Sequence, residues 1–531
     1  VSGRRAKSAG VGALALRAFV AAPALAWGCA GAEAAPPCAF GDDHVVAEAG
    51  ARVEALDVAV HAGMNAAARG AGGARGGSAG SKKTEESEVS GATVVWSERG
   101  GAFARRVTAE GAVRGDAVRL GPPCGGGIAV ASVPRELGLA GARVEAGRTD
   151  EAADAAAAAD ASGDAEALVA CLRTARPEKD VPGGLSLYAL GRNGRAWLVW
   201  QGGRGPGASV GAPSGAAIAV WQASGTRASG QSPAGPTEAH AAAGYARVLW
   251  QDAERGAPRV LRLDLPLGAI GAGEATQRRV AGATPELAST PGVIGGSPSL
   301  LARQGHVVAT WAETAYVDGE TVGRVVARRD DGPLRELATV RVDTPAPQIV
   351  WQPRPADAAA GEAPSGEASP GTSAGSGAAI SGAAGNGRTV PGAGAGRFVL
   401  GYRDARSASD RPRLHLLALG PDLTPRGRPS RVARANGPGG PSLAACGRAL
   451  LAAAPRTYYR DALIGLTRID AALRRDGGEQ QLYEDGRQLA LAALRCTGEA
   501  RALLVIGEHA TSAHPEARVR ATALRCAEAP R

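Results

Sequence analysis

Ala92-Thr-Val-Val-Trp96, Ala196-Trp-Leu-Val-Trp200, Ala246-Arg-Val-Leu-Trp250, Val307-Val-Ala-Thr-Trp311 and Phe398-Val-Leu-Gly-Tyr402 are five versions of one segment, and they decide the fold. Each is a short apolar run that ends in an aromatic ring. Residues two apart share a face of a strand, so Ala92, Val94 and Trp96 point one way, as do Val307, Ala309 and Trp311. The opposite face is often apolar as well, so each strand is buried on both sides.

The flanks repeat too. A glycine precedes the aromatic strand at Gly91, Gly194, Gly244, Gly305 and Gly396, consistent with a tight turn from an earlier strand such as Ser299–Ala302. A further strand follows: Phe103–Val107, Val260–Leu265, Gly323–Arg328 or Leu414–Leu419. A weaker fourth, such as Leu337–Val342, completes the hairpin rhythm of an antiparallel blade. Trp200 and Trp250 are 50 residues apart, and Trp250 and Trp311 are 61 apart. Once Gly/Ala/Ser-rich filler is removed before Tyr402, the period stays near the ~50 residues of propeller-type repeats. Units led by Cys124, Cys446 and Cys496 continue the series, giving seven or eight. One sheet cannot bury both of its faces alone, so the units must stack and close: an all-β propeller of four-stranded blades over residues 38–531. The last unit lacks a strand, and Asp43–Glu48 near the other end of the chain is expected to supply it.

Three insertions interrupt the period, at residues 65–90, 148–166 and 354–396, and their low-complexity composition reads as disordered loop. For Asp150–Ala167 a short Ala-rich helix is the alternative.

Trp96-Ser-Glu-Arg99, Trp250-Gln-Asp252 and Tyr402-Arg-Asp-Ala-Arg406 resemble the V-V-W-x-D-x-R repeats of uncharacterised exported bacterial β-propeller proteins. The resemblance spans about residues 40–531 and implies fold and address without an activity. Address is also written at the start, where Arg4, Arg5 and Lys7 precede an apolar stretch from Val11 to Trp27. Residues 1–35 read as a secretory signal. Leu25-Ala-Trp-Gly-Cys29 has the form of a lipoprotein box, with Cys29 as the acylated residue, while Ala32-Glu-Ala34 offers ordinary cleavage. The remaining six cysteines, Cys38, Cys124, Cys171, Cys446, Cys496 and Cys526, form an even set that an oxidising compartment can pair.

Only Lys7, Lys82, Lys83 and Lys179 among 60 basic residues are lysine, a skew that GC-rich coding writes at unconstrained positions. The net charge of +9 is spread among 51 acidic residues, which argues against nucleic acid as a partner. No apolar run beyond the first segment reaches the ~20 residues of a membrane span. The matches Gly76-Gly-Ser-Ala-Gly80 and Gly371-Thr-Ser-Ala-Gly375 lie in filler, without the strand and helix that a nucleophile elbow needs. Cysteine and histidine spacing fits no metal framework, although His509 and His514 share a loop. No cofactor or catalytic residue is assigned. The sequence therefore reads as a monomeric, envelope-located binding or scaffold module for an unknown protein or glycan, held at a membrane only if Cys29 is acylated. A sialidase-like hydrolase is the competing reading, with Arg403, Asp404, Arg406 and Tyr458-Tyr459-Arg460 as its polar groups, and a ligand-free structural envelope protein is the third.

Overall fold

A computed structural model describes residues 38–526 except 51, 63–88, 135–164, 175–182, 203–214, 223–243, 253–257, 268–269, 271–282, 292, 304, 318–319, 342–345, 354–395, 406–410, 438–439, 459–460 and 483–486. All belong to the unit Pro36–Arg531. The described residues form 28 strands and no helix, in seven four-stranded antiparallel sheets arranged as a β-propeller.

Strand β1 (Cys38–Ala49) stands apart from the blade that follows it in sequence. Blade one holds β2 (Val53–Ala62), β3 (Val89–Glu98), β4 (Gly101–Val107) and β5 (Val113–Gly121). Blade two holds β6 (Gly127–Ser132), β7 (Ala165–Arg173), β8 (Gly184–Gly191) and β9 (Ala196–Gly202). Blade three holds β10 (Ala216–Gln222), β11 (Gly244–Asp252), β12 (Arg259–Pro266) and β13 (Glu286–Leu287). Blade four holds β14 (Ile294–Arg303), β15 (His306–Val317), β16 (Glu320–Arg329) and β17 (Arg335–Val340). Blade five holds β18 (Gln348–Pro353), β19 (Gly396–Asp404), β20 (Arg413–Leu419) and β21 (Pro425–Arg434). Blade six holds β22 (Ser442–Cys446), β23 (Ala449–Tyr458), β24 (Asp461–Ile469) and β25 (Gln480–Leu482). Blade seven has β26 (Gln488–Gly498), β27 (Arg501–His509) and β28 (Ala517–Cys526) of its own, and β1 is its outer strand. Cys38 lies opposite Cys526, Phe40 opposite Leu524 and Val45 opposite Arg520, so the two ends of the described chain close the ring by strand pairing.

The core is divided as the repeat demands. Seven buried clusters correspond one to one with the seven junctions between neighbouring blades. On the second strand of a blade, the terminal aromatic packs against the blade before it. Trp96 meets Val505 and Val519 of blade seven, Trp250 meets Leu172 and Leu187 of blade two, and Tyr402 meets Val308 and Val325 of blade four. Trp311 faces Leu249 and Val260 of blade three. Each such ring covers a whole sheet crossing, which a β-branched residue cannot do.

Trp200 breaks this rule. It sits on β9, the fourth strand of its blade, where its ring lies 5.9 Å from that of Trp250. The second strand of blade two is β7, and its corresponding position is Cys171, which packs on blade one and is bonded to Cys124. The 50-residue interval that ended at Trp250 therefore ran from an outer strand to a second strand. The insertions are also shorter at their downstream ends than composition implied. Residues 89–90, 165–166 and 396 are strand, and the end of the Ala-rich segment enters β7 rather than a helix. The other residues of the three insertions fall outside the described part, as do Cys29, both Gly-x-Ser-x-Gly matches and residues 1–35.

The six cysteines are joined as Cys38–Cys526, Cys124–Cys171 and Cys446–Cys496. The first joins β1 to its partner strand β28, and the other two each span a blade junction.

Candidate functional site

An inner strand is the edge of its own sheet, so half of its peptide groups face the ring's centre without a ladder partner. Side chains from neighbouring inner strands supply several of the missing bonds. Val130 N–H donates to the Asp57 carboxylate (3.0 Å), Leu494 N–H to Ser442 Oγ (2.9 Å), and Leu443 N–H to Gln348 Oε1. Arg495 donates to the other oxygen of Asp57 (2.7 Å) and to the Leu494 carbonyl (3.0 Å). Polar residues in these strands thus stitch blade to blade.

The strands enclose a central channel of about 750 Å³, touched by all seven inner strands and lined mainly by Gly, Ala, Leu, Val and Ile. Small residues dominate: Gly125, Gly126 and Gly127 in blade two, Ala216 and Ala217 in blade three, and Ala490, Ala492 and Ala493 in blade seven. The mouth where the inner strands begin is the more polar one. Arg52, Glu54, Thr174, Gln251, Ser297 and His509 lie there, as the strand register requires. His509 Nε2 donates to the Val53 carbonyl (3.1 Å), and burial holds its pKa below 6.5, with Arg52 acting in the same direction. Oε2 of Glu54 is shielded from solvent and makes no hydrogen bond. Towards the other mouth the guanidinium of Arg303 stacks 4.2 Å above the Trp351 ring.

The acid of the W-x-D/E repeat has a structural task. Glu313 accepts from Thr290 N–H (2.7 Å), Thr290 Oγ1 (2.9 Å) and Trp311 Nε1 (3.1 Å), while Asp404 accepts from Arg341 N–H (2.8 Å). Glu98 accepts from Gly50 N–H, and Glu508 binds Arg487 (2.7 Å) and Arg520. In each of these four blades the acid ties down chain entering the inner strand. Arg403 and Asp404 accordingly lie in the second strand, outside the channel lining, and burial lowers the pKa of the Arg403 guanidinium from its ordinary value. Arg406, Tyr459 and Arg460 lie outside the described residues.

A cluster that sequence reasoning missed joins blades one and two. His61 Nδ1 lies 2.9 Å from Ser132 Oγ, and its Nε2 lies 2.8 Å from Thr93 Oγ1 and 3.6 Å from Glu166, which pairs with Arg106. Burial lowers the His61 pKa from 6.5, opposed in part by the Glu166 carboxylate. Because Thr93 takes the hydrogen bond at Nε2, the carboxylate does not orient the ring. The group is a latch across the junction. No spacing marks it, since its members come from β2, β3, β4, β6 and β7. Among the described residues no three His, Cys, Asp or Glu side chains are close enough to hold a metal, and His509 is turned towards Val53 rather than towards His514.

No family model and no curated protein matches the chain. Among solved structures it is similar to a protein of unknown function from Dyadobacter fermentans DSM 18053, at 10% identity over 93% of this chain and 100% of that one, with a TM-score of 0.40. It is similar to an α-L-arabinanase of Penicillium chrysogenum complexed with arabinobiose, at 11% identity over 67% and 89%, TM-score 0.33. It is also similar to a subtype N10 neuraminidase-like protein of A/little yellow-shouldered bat/Guatemala/060/2010, at 8% identity over 67% and 90%, TM-score 0.31. Likeness at this level carries no argument about activity.

Proposed function

We propose that this protein is an exported binding module of the cell envelope whose ligand, a glycan or a protein segment, enters the central channel at its polar mouth. The carrying observation is the channel itself. Its volume of about 750 Å³ falls in the range of ligand sites, its walls are small and apolar, and a few polar groups gather at one end. Of its two carboxylates, Asp57 is committed to Val130 and Arg495, which leaves Glu54 to meet a ligand. Three disulfides support an oxidising address. Acylation at Cys29 would hold the module at a membrane, and loss of labelled-palmitate incorporation in Cys29→Ser tests that part.

The binding test is a glycan array probed with the purified protein, beside Ala217→Trp, which fills the channel, and Glu54→Gln. A ligand whose binding both variants abolish, at unchanged melting temperature, supports the reading. A ligand that both variants retain overturns the site. Turnover of fluorogenic glycosides that disappears in Glu54→Gln would replace a binding module with a hydrolase.

A further inference from the structure

The bond that joins one inner strand to the next recurs at a fixed place. Asp57 accepts from Val130 N–H (3.0 Å), Ser299 from Ile349 N–H (3.5 Å), Gln348 from Leu443 N–H and Ser442 from Leu494 N–H (2.9 Å). Each acceptor stands opposite the residue that precedes the aromatic position of its second strand: Asp57 opposite Val95, Ser299 opposite Thr310, Gln348 opposite Gly401 and Ser442 opposite Ala453. In the other three blades the same place holds alanine: Ala129 opposite Ala170, Ala217 opposite Leu249 and Ala493 opposite Val505. An alanine side chain accepts nothing. Ala129 and Ala217 belong to consecutive blades, so the amides they would have capped, those of Ile218 and Leu300, are bare side by side.

Both amides face the channel. Gln251 N–H donates to the Gly215 carbonyl, and Arg303 lies opposite His306 across a two-residue turn, so the alternation of each ladder turns Ile218 and Leu300 away from their own sheets. Bare peptide groups beside the apolar side chains of Ile218, Leu300 and Leu301 complement another strand, which brings peptide groups and apolar side chains of its own. They complement a sugar poorly. Among the described residues Trp351 is the one Trp, Tyr or Phe in the lining, and Arg303 covers its ring, with Phe398 edge-on at 4.9 Å and Gly396 so close that a Cβ there would overlap it.

Strand β14 ends at the charge of the far mouth. Of the charged residues in the lining, Asp57 and Arg495 pair with each other, and Arg52, Glu54 and His509 lie at the polar mouth, which leaves Arg303 for the other. Stacking on Trp351 fixes its guanidinium, and burial lowers its pKa with no carboxylate acting against that. From Ser297 to Arg303 the strand covers about 20 Å, the length of about six extended residues.

We infer that the channel receives the C-terminal tail of a polypeptide, extended along β14 with its terminal carboxylate on Arg303. The inference rests on the channel being a ligand site and names the class of ligand.

The test is fluorescence anisotropy with two pools of labelled hexapeptides randomised over Gly, Ala, Ser and Val, one ending in a free carboxylate and the other in an amide. The carboxylate pool should bind about tenfold to a hundredfold more tightly, the worth of a charged hydrogen bond. Arg303→Gln should bring it down to the level of the amide pool at unchanged melting temperature, and Arg303→Lys should keep part of the preference. Ala217→Ser, which restores a cap for Leu300 as Ser442 caps Leu494, should weaken both pools and leave the preference intact. Absence of binding by the carboxylate pool, equal binding of the two pools, or a preference that survives in Arg303→Gln overturns the proposal. Equal binding that Ala217→Trp abolishes removes the carboxylate site and keeps the channel, whereas binding that Ala217→Trp leaves unchanged removes both. Binding of oligogalacturonate in place of either pool puts a glycan there and overturns the peptide assignment.

Discussion

Removing the bond between Cys38 and Cys526 should be the most damaging of the three disulfide deletions. Chain-entropy stabilisation grows with the loop that the bond closes in the unfolded state. That loop spans 488 residues for Cys38–Cys526, against 47 for Cys124–Cys171 and 50 for Cys446–Cys496. The logarithmic relation gives about 6 kcal/mol for the long loop and about 4 kcal/mol for each short one. Cys38→Ala/Cys526→Ala should therefore lower unfolding free energy by about 2 kcal/mol more than either other double variant. The packing cost is similar at all three sites, because all six cysteines are buried or nearly so. Urea unfolding followed by tryptophan fluorescence reads the difference, since Trp250 and Trp311 are fully buried. A long-loop variant as stable as the natural protein, or more stable than the two short-loop variants, would refute the entropic reasoning and leave sheet pairing of β1 as the whole closure.

Glu508 is fully buried between Arg487 and Arg520, so Glu508→Gln strands two guanidinium groups and should cost about 3–5 kcal/mol, read as a lower urea midpoint. His61 and His509 are both held below 6.5 in the folded state, so the unfolded chain takes up protons first as pH falls. Stability contributed by the neutral rings is present above about pH 6.5 and is lost below it; His61→Gln should flatten melting temperature between pH 7 and 5. Trp311→Ala should cost about 3–5 kcal/mol, and a value below 1 kcal/mol would contradict its place in a blade junction.

The ring was legible wherever a bulky aromatic marked the second strand, as at Trp96, Trp250, Trp311 and Tyr402. These positions cover large areas of the preceding blade, and smaller residues rarely replace such coverage. Blade two lost its marker because a disulfide at Cys171 does the work of a ring, and an Ala-rich composition disguised β7 as filler. The closing strand was readable because Asp43–Glu48 had no other unit to join. The channel was not readable, since its walls are the same Ala and Gly that fill the insertions. Their role comes from seven strands converging, which no single segment displays.

Closure by the first strand also orders the protein's birth. Cys38 emerges early and must wait 488 residues for its partner, roughly half a minute to a minute and a half at ~5–20 residues per second of synthesis. Cys124, Cys171, Cys446 and Cys496 all appear within that interval. Oxidation in order of appearance would join Cys38 to Cys124 and fasten the N-terminal strand to the wrong blade. Native pairing therefore depends either on oxidation held back until the chain is complete, or on a thiol isomerase that releases Cys38 for the last strand.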